Sequence, residues 1–213
     1  MPIQKSTRSI CMVFMLSSIS AITYSQQSEF NASLTKESGA IAATGGRVLR
    51  DGPKLIIRTS KTEVVFSDNL TESESAARYI YIRQYLENSY HLVYASGWEG
   101  HSFQLVHAAT GKCTRLDGIP ILSPNNKHFV ATSMDLEAGY NNNSVQICEL
   151  TPSGPATVFY HNYKDSCGPS NPKWLDNKTI LFDINIPVPK DSKLKTRRVN
   201  SKIKLRNKSW VII

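Results

Sequence analysis

The segment from Gly118 to Tyr163 places the strongest constraint on what this chain can fold into. A short apolar run ending at Leu122 meets the turn Ser123-Pro124-Asn125-Asn126, and Phe129-Val130-Ala131-Thr132 follows. A Gly- and Asn-rich loop then leads to Ser144-Val145-Gln146-Ile147-Cys148-Glu149-Leu150, and a Pro-Ser-Gly-Pro turn leads to Ala156-Thr157-Val158-Phe159-Tyr160. Short β-branched and aromatic runs bounded by Pro, Gly and Asn read as strands joined by reversals, because proline presets its own φ and asparagine tolerates the left-handed region. The expected unit is an up-and-down four-stranded sheet of roughly 40 residues, the size of one propeller blade.

Upstream, the same chemistry repeats. Arg47–Arg50, Lys54–Arg58 and Thr62–Phe66 are β-rich runs separated by Asp51-Gly52-Pro53 and Ser60-Lys61. Thr71 to Ala77 is polar and expected to begin a short helix, whereas Tyr79–Tyr85, His91–Ser96, Ser102–His107 and Cys113–Leu116 read as strands. Three stretches align: Tyr85–Val93, Leu122–Val130 and Trp174–Leu181, each with an apolar opener, a turn bearing Asn in the same place, and a return strand. Their spacing, roughly 37 and then roughly 52 residues, brackets blade-sized periods.

The run Leu122-Ser123-Pro124-Asn125-Asn126-Lys127 resembles the Ser-Pro-Asp-Gly-Lys turn of the WD40-like propeller repeats of the Tol-system periplasmic propeller and its relatives. Pro172-Lys173-Trp174-Leu175-Asp176-Asn177 is similar to a variant of that turn, and the resemblance covers about 130 residues. It implies a β-propeller architecture and transfers no active site. Relatives usually carry six or seven blades, and this chain has room for about four at most. The expected fold is therefore all-β: a partial or small β-propeller-like domain built from about three to four four-stranded blade-like repeats.

The first 25 residues have a separate character. Lys5 and Arg8 precede an apolar run from Ile10 to Ile22, and Thr23-Tyr24-Ser25 offers small residues for cleavage, so residues 1–25 read as a secretory signal peptide. The run is shorter than the roughly 20 residues that span a bilayer, so no stable membrane insertion is expected after cleavage. Residues 26–46 show no sustained period and read as a flexible arm, which leaves 47–213 as a single all-β domain. The expected location is the periplasm or the exterior. There a disulfide is permitted, and the three cysteines beyond the leader, Cys113, Cys148 and Cys167, allow one internal bridge. Cys167, in a Gly-Pro loop, is its expected member.

Charge is concentrated at the other end. Residues 190–208 hold nine Lys or Arg and the single acid Asp191. Lys202, Lys204, Arg206 and Lys208 alternate with Ile203, Leu205, Asn207 and Ser209, the pattern of a strand with one basic face, solvated at a sheet edge or turned to an acidic partner protein, anionic lipid headgroups or a polyanionic envelope polymer. The apolar end Trp210–Ile213 is expected to join the last sheet. Nucleic acid is not expected as a partner, given the expected export and the lack of interleaved aromatics for base stacking.

Catalytic and metal chemistry find little support. His91, His101, His107, His128 and His161 form no paired ligand motif, there is no C-x-x-C, and no metal or cofactor is assigned. The loop from Asp135 to Asn143 offers oxygen ligands without the alternation of a calcium loop and reads as a long hairpin connection. Cys167, with His161 and Asp165 nearby, has the residue types of a thiol hydrolase but no surrounding family signature. Trp98 and Tyr140, each at the tip of a strand connection, are the better contact candidates, because aromatic anchors on rigid loops dominate binding energies. The functional expectation is a non-catalytic exported protein that binds another macromolecule, with a protein as the expected partner, through Trp98, Tyr140 and the basic residues Lys202, Lys204, Arg206 and Lys208. An inhibitor or immunity-type role is its narrower form, and an envelope hydrolase or metal-dependent enzyme the alternative.

Overall fold

The computed structural model describes residues 36–87, 89–188 and 195–213. The leader read over 1–25 and the first part of the arm, 26–35, lie outside the described residues. The chain divides into two compact units, Met1–Gly39 and Ala40–Ile213, and every strand among the described residues belongs to the second.

Among the described residues, fifteen strands form four antiparallel sheets. Sheet I holds β1 (Val48–Asp51), β2 (Lys54–Arg58) and β3 (Glu63–Ser67). Sheet II holds β4 (Ala77–Tyr85), β5 (Tyr90–Gly97), β6 (His101–His107) and β7 (Cys113–Leu116). Sheet III holds β8 (Ile121–Leu122), β9 (His128–Ser133), β10 (Ser144–Thr151) and β11 (Gly154–Asn162). Sheet IV holds β12 (Gly168–Asp176), β13 (Thr179–Val188), β14 (Lys195–Arg206) and β15 (Ser209–Ile212). Each sheet is a meander of sequential neighbours, so the all-β, blade-like architecture expected from the turns is present. The three aligned stretches are the first hairpins of sheets II, III and IV.

Burial joins the sheets in series. Val48, Leu55 and Ile57 of sheet I pack against Tyr81, Val93 and Val106 of sheet II. Leu92, Phe103, Leu105 and Leu116 of sheet II meet Phe129 and Cys148 of sheet III. Val130, Val145 and Ile147, from the other face of sheet III, meet Trp174, Ile180, Phe182, Ile203 and Trp210 of sheet IV. The Trp174 indole donates to the Ile121 carbonyl at 2.9 Å, which pins sheet IV to sheet III while satisfying its buried N–H. Gly118, in the link from β7 to β8, has no side-chain room: a Cβ there would stand 2.0 Å from the Thr132 carbonyl oxygen.

The turn in the first hairpin of sheet III shows why its residues are needed. Ser123 Oγ accepts from the His128 amide at 3.0 Å, Asn125 Oδ1 accepts from the Lys127 amide at 3.1 Å, and Asn126 sits at φ 54°. Side-chain oxygens thus satisfy the amides that the reversal strips of ladder partners.

Four expectations differ from the structure. Residues 36–42 are helical instead of irregular, with Ala40 and Ile41 packed on the core of sheets I and II. Thr44 caps that helix, its hydroxyl donating to the Ile41 carbonyl at 2.7 Å and accepting from the Val48 amide at 3.1 Å. The expected helix over Thr71–Ala77 is absent: 71–75 are bends and a turn and Ala77 opens β4, because the Asn69, Thr71, Ser73 and Ser75 side chains bond one another and the backbone locally. The Gly-Pro segment after Cys167 is strand β12, where Pro169 and Pro172 are tolerated because it is an edge strand. Finally, the basic strand β14 lies inside sheet IV between β13 and β15 and ends at Arg206; Lys208 falls in the β14–β15 turn with Asn207, both at positive φ.

Candidate functional site

Trp98 and Tyr140 stand 55% and 57% exposed on two connections that the fold brings together. The β5–β6 hairpin closes through the Gly97 amide to the Gly100 carbonyl at 2.9 Å, with Gly100 at φ +101°. The β9–β10 connection is organised by Asp135. Its Oδ1 accepts from the amides of Ala138 and Gly139 at 3.0 and 3.1 Å, and its Oδ2 from those of Tyr140 and Asn141 at 2.9 and 3.0 Å. Desolvation would raise the Asp135 pKa, yet these backbone bonds outweigh it and hold the carboxyl below its ordinary range. The carboxylate therefore serves the loop itself.

Asn141 makes the junction. Its Nδ2 donates to Asp135 Oδ2 at 3.1 Å, and its Oδ1 accepts from the His101 amide at 2.7 Å. A Cβ on Gly100 would lie 2.9 Å from that same oxygen and 3.1 Å from the Tyr140 carbonyl, so glycine is what lets the loop close on the hairpin. A cleft of about 300 Å³ opens here, lined by Tyr79, Glu99, His101, Gln104, Arg115 and Tyr140. A second, of about 310 Å³, lies against His101, Asp117, Ile119, Met134 and Pro172. In its wall Asp117 Oδ2 accepts from Ser144 Oγ at 2.6 Å and Tyr160 Oη at 2.9 Å, tying the β7–β8 link to β10 and β11.

The basic residues lie elsewhere, on sheet IV. Lys202, Lys204 and Arg206 are exposed while Ile203 and Leu205 between them turn toward sheet III, so the single basic face expected from alternation is present over 202–206. Cross-strand register adds to it: Lys173 opposes Leu181, and Leu181 opposes Lys202. Lys204 opposes Thr179 on one side and Val211 on the other.

The histidines are dispersed. His91 is fully buried, with Nδ1 3.0 Å from the Tyr81 hydroxyl and Nε2 without a partner; burial, with the Arg47 charge adding, lowers its pKa to about 4. His107 contacts Thr110 Oγ1 at 2.9 Å, His128 packs edge-on against Trp210, and His161 edge-on against Tyr163. His101 and His107 occupy opposite ends of β6. Among the described residues no group of three or more His, Cys, Asp or Glu is arranged to hold a metal ion.

The expected disulfide is absent: Cys113, Cys148 and Cys167 are all free thiols. Cys148 is locked in the core between sheets II and III, with Thr157 Oγ1 at 3.5 Å, while Cys113 is exposed on β7 and Cys167 precedes β12. Burial raises the Cys148 pKa, which keeps it a thiol. The Ser166 hydroxyl donates to Cys167 Sγ at 3.9 Å, and among the described residues no hydrogen bond links Cys167 to His161.

Sequence reasoning missed Asn141, Gly100, Arg115 and Lys173. The dense Asx content of 141–143 signalled a side-chain-bonded loop, but that it lands on His101, 40 residues away, depends on how sheets II and III stack. No family model and no curated protein sequence matches this chain.

Proposed function

We propose that this is an exported, non-catalytic binding protein of the periplasmic propeller-repeat kind, which engages a protein partner through the joined tips of sheets II and III. The observation that carries this reading is the Asn141–His101 bond, which seats the Tyr140 loop on the Trp98 hairpin beside a cleft of about 300 Å³. Two exposed aromatics on loops held by backbone hydrogen bonds contribute contact area at low entropic cost, the property of interface anchors. Arg115 and Gln104 in the cleft offer donors for backbone carbonyls or a carboxylate of the partner. The basic residues of β14 and Lys208 supply a second, electrostatic surface. An inhibitor or immunity-type role, in which the tips plug another envelope protein, is the narrower form of this reading.

The test is affinity capture from envelope extract with the protein as bait, comparing wild type with Trp98→Ala and Tyr140→Ala. Truncating an interface anchor costs about 2 kcal/mol, so each variant should retain the partner some 30-fold less tightly. Undiminished capture by both removes the tips from the interface.

A further inference from the structure

Sheet IV ends the series. Its inner face supplies Trp174, Ile180, Phe182, Ile203 and Trp210 to the core with sheet III, and its outer face carries the basic residues in the open. Register fixes what shares that outer face. One cross-strand row runs Lys173, Leu181, Lys202 and, through the paired backbone bonds of Lys202 with Ile213, the 51% exposed Ile213. The next runs Asp176, Thr179, Lys204 and Val211, and Arg206 opposes Ser209 beyond it.

The acids of this face are already engaged. Asp183 is held by Arg198 at 3.5 Å and by Asn171 Nδ2 at 2.8 Å. Asp176 accepts from the Lys178 amide at 2.7 Å. Lys173, Lys202, Lys204 and Arg206 form no ion pair among the described residues. Lys173, Lys202 and Arg206 are thus left without counter-charge, and Lys204 has only the solvent-facing Asp176 carboxylate in its row, so the face is net basic and interleaved with aliphatic side chains. Residues two apart on a strand are about 6.8 Å apart and neighbouring strands about 4.8 Å, so the cations cover a patch rather than a line.

We propose that this outer face of sheet IV is a docking surface for an anionic lipid bilayer. Three features favour headgroups over an acidic protein. Lysine predominates, and it is depleted at protein interfaces while serving well as a point charge toward phosphate. The charge is spread two-dimensionally, matching a plane of headgroups, and each such cation adds electrostatic attraction to an anionic leaflet. The interleaved Leu181, Val211 and Ile213 give the lysine stems an apolar bed and place aliphatic carbon where the acyl boundary begins. The surface is separate from the Trp98–Tyr140 tips, so the protein can lie on a membrane with its tips free.

The experiment is co-sedimentation of the whole protein with phosphatidylcholine vesicles made with and without phosphatidylglycerol, at low and moderate salt. Binding should require phosphatidylglycerol, weaken as salt screens the exposed charges, and fall about 100-fold in the triple variant Lys202→Gln/Lys204→Gln/Arg206→Gln. Trp98→Ala should bind vesicles like wild type, which separates this surface from the tips. Equal binding to pure phosphatidylcholine overturns the proposal, as does full retention by the triple variant. Wild type that ignores both vesicles but is retained on polyglutamate overturns it in favour of an acidic polypeptide. Wild type that ignores both vesicles and sediments as a dimer overturns it in favour of a second copy.

Discussion

Sheets III and IV begin with the same kind of Asn-bearing hairpin and have the same meander topology, yet they treat their residues differently. In sheet III, β10 is buried at five successive positions, Ser144 to Cys148, because Phe129 and Cys148 face sheet II while Val130, Val145 and Ile147 face sheet IV. In sheet IV, β14 alternates from Lys202 to Arg206, since only one face is covered. Position in the series, more than strand propensity, sets the pattern: a sheet covered on both sides is buried at successive positions, and a sheet at the end alternates. Sheet I fits the same rule, with β3 strictly alternating between exposed and half-buried residues.

The largest expected effect comes from emptying a doubly covered position. Phe129, 1% exposed, sits on sheet III in the core shared with Leu92, Phe103, Leu105 and Leu116. Phe129→Ala should cost about 3–5 kcal/mol, because sheets held on both sides cannot collapse into the void. Urea denaturation reads this as a lower midpoint at unchanged slope. A cost under about 1 kcal/mol would mean that sheets II and III separate easily, and the contrast between middle and end sheets would lose its physical basis.

Acid should come next, because sheet II carries a titratable group on a covered face. His91 is fully buried with Nε2 unpartnered, and its pKa lies near 4 against an ordinary value of 6.5. A folded-state pKa below the unfolded one means that the unfolded chain takes up the proton first. The neutral-histidine contribution is therefore whole above pH 6.5 and is lost as pH falls through about 4. At about 1.4 kcal/mol per pH unit between 6.5 and about 4, the loss is about 3–4 kcal/mol. Melting temperature against pH should fall over that window, and His91→Gln, which keeps a polar group beside Tyr81 but cannot titrate, should flatten the fall. An unchanged pH profile in that variant would place the acid sensitivity elsewhere.

Much of this arrangement was legible because its signals are local. The turn at Ser123–Lys127 is specified by its own side chains, and the three matching hairpins repeat that signal, so strand order and blade size followed from the sequence. What was illegible is set by stacking. The helix at 36–42 lacks a period of its own and is placed by Ala40 and Ile41 against sheets I and II. Lys173 joins the basic face only through β13, and the Trp98 and Tyr140 connections meet only because Asn141 reaches across to His101. The cysteines illustrate the reverse error. The expected bridge assumed an oxidising compartment; in the structure Cys148 is consumed by the core between sheets II and III, and Cys113, Cys148 and Cys167 are all free.

The smallest expected effect completes the comparison and is its sharpest test. Lys204 and Ile203 are adjacent on β14, one turned outward beside Thr179 and Val211, the other fully buried against sheet III. Lys204→Gln keeps a long polar stem and removes the charge. Its cost in stability should lie within about 0.5 kcal/mol, as for surface sites away from special features. The neighbouring Asp176 gives a second readout. Its carboxyl is held below the ordinary range first by the Lys178 amide, with the Thr179 contacts and the Lys204 charge adding to it. Losing that charge should move its titration slightly upward, a shift visible by NMR. If Lys204→Gln instead costs more than about 1 kcal/mol, the outer face of sheet IV is covered in solution, and sheet IV would have to be reclassed as a middle sheet whose second neighbour comes from another molecule.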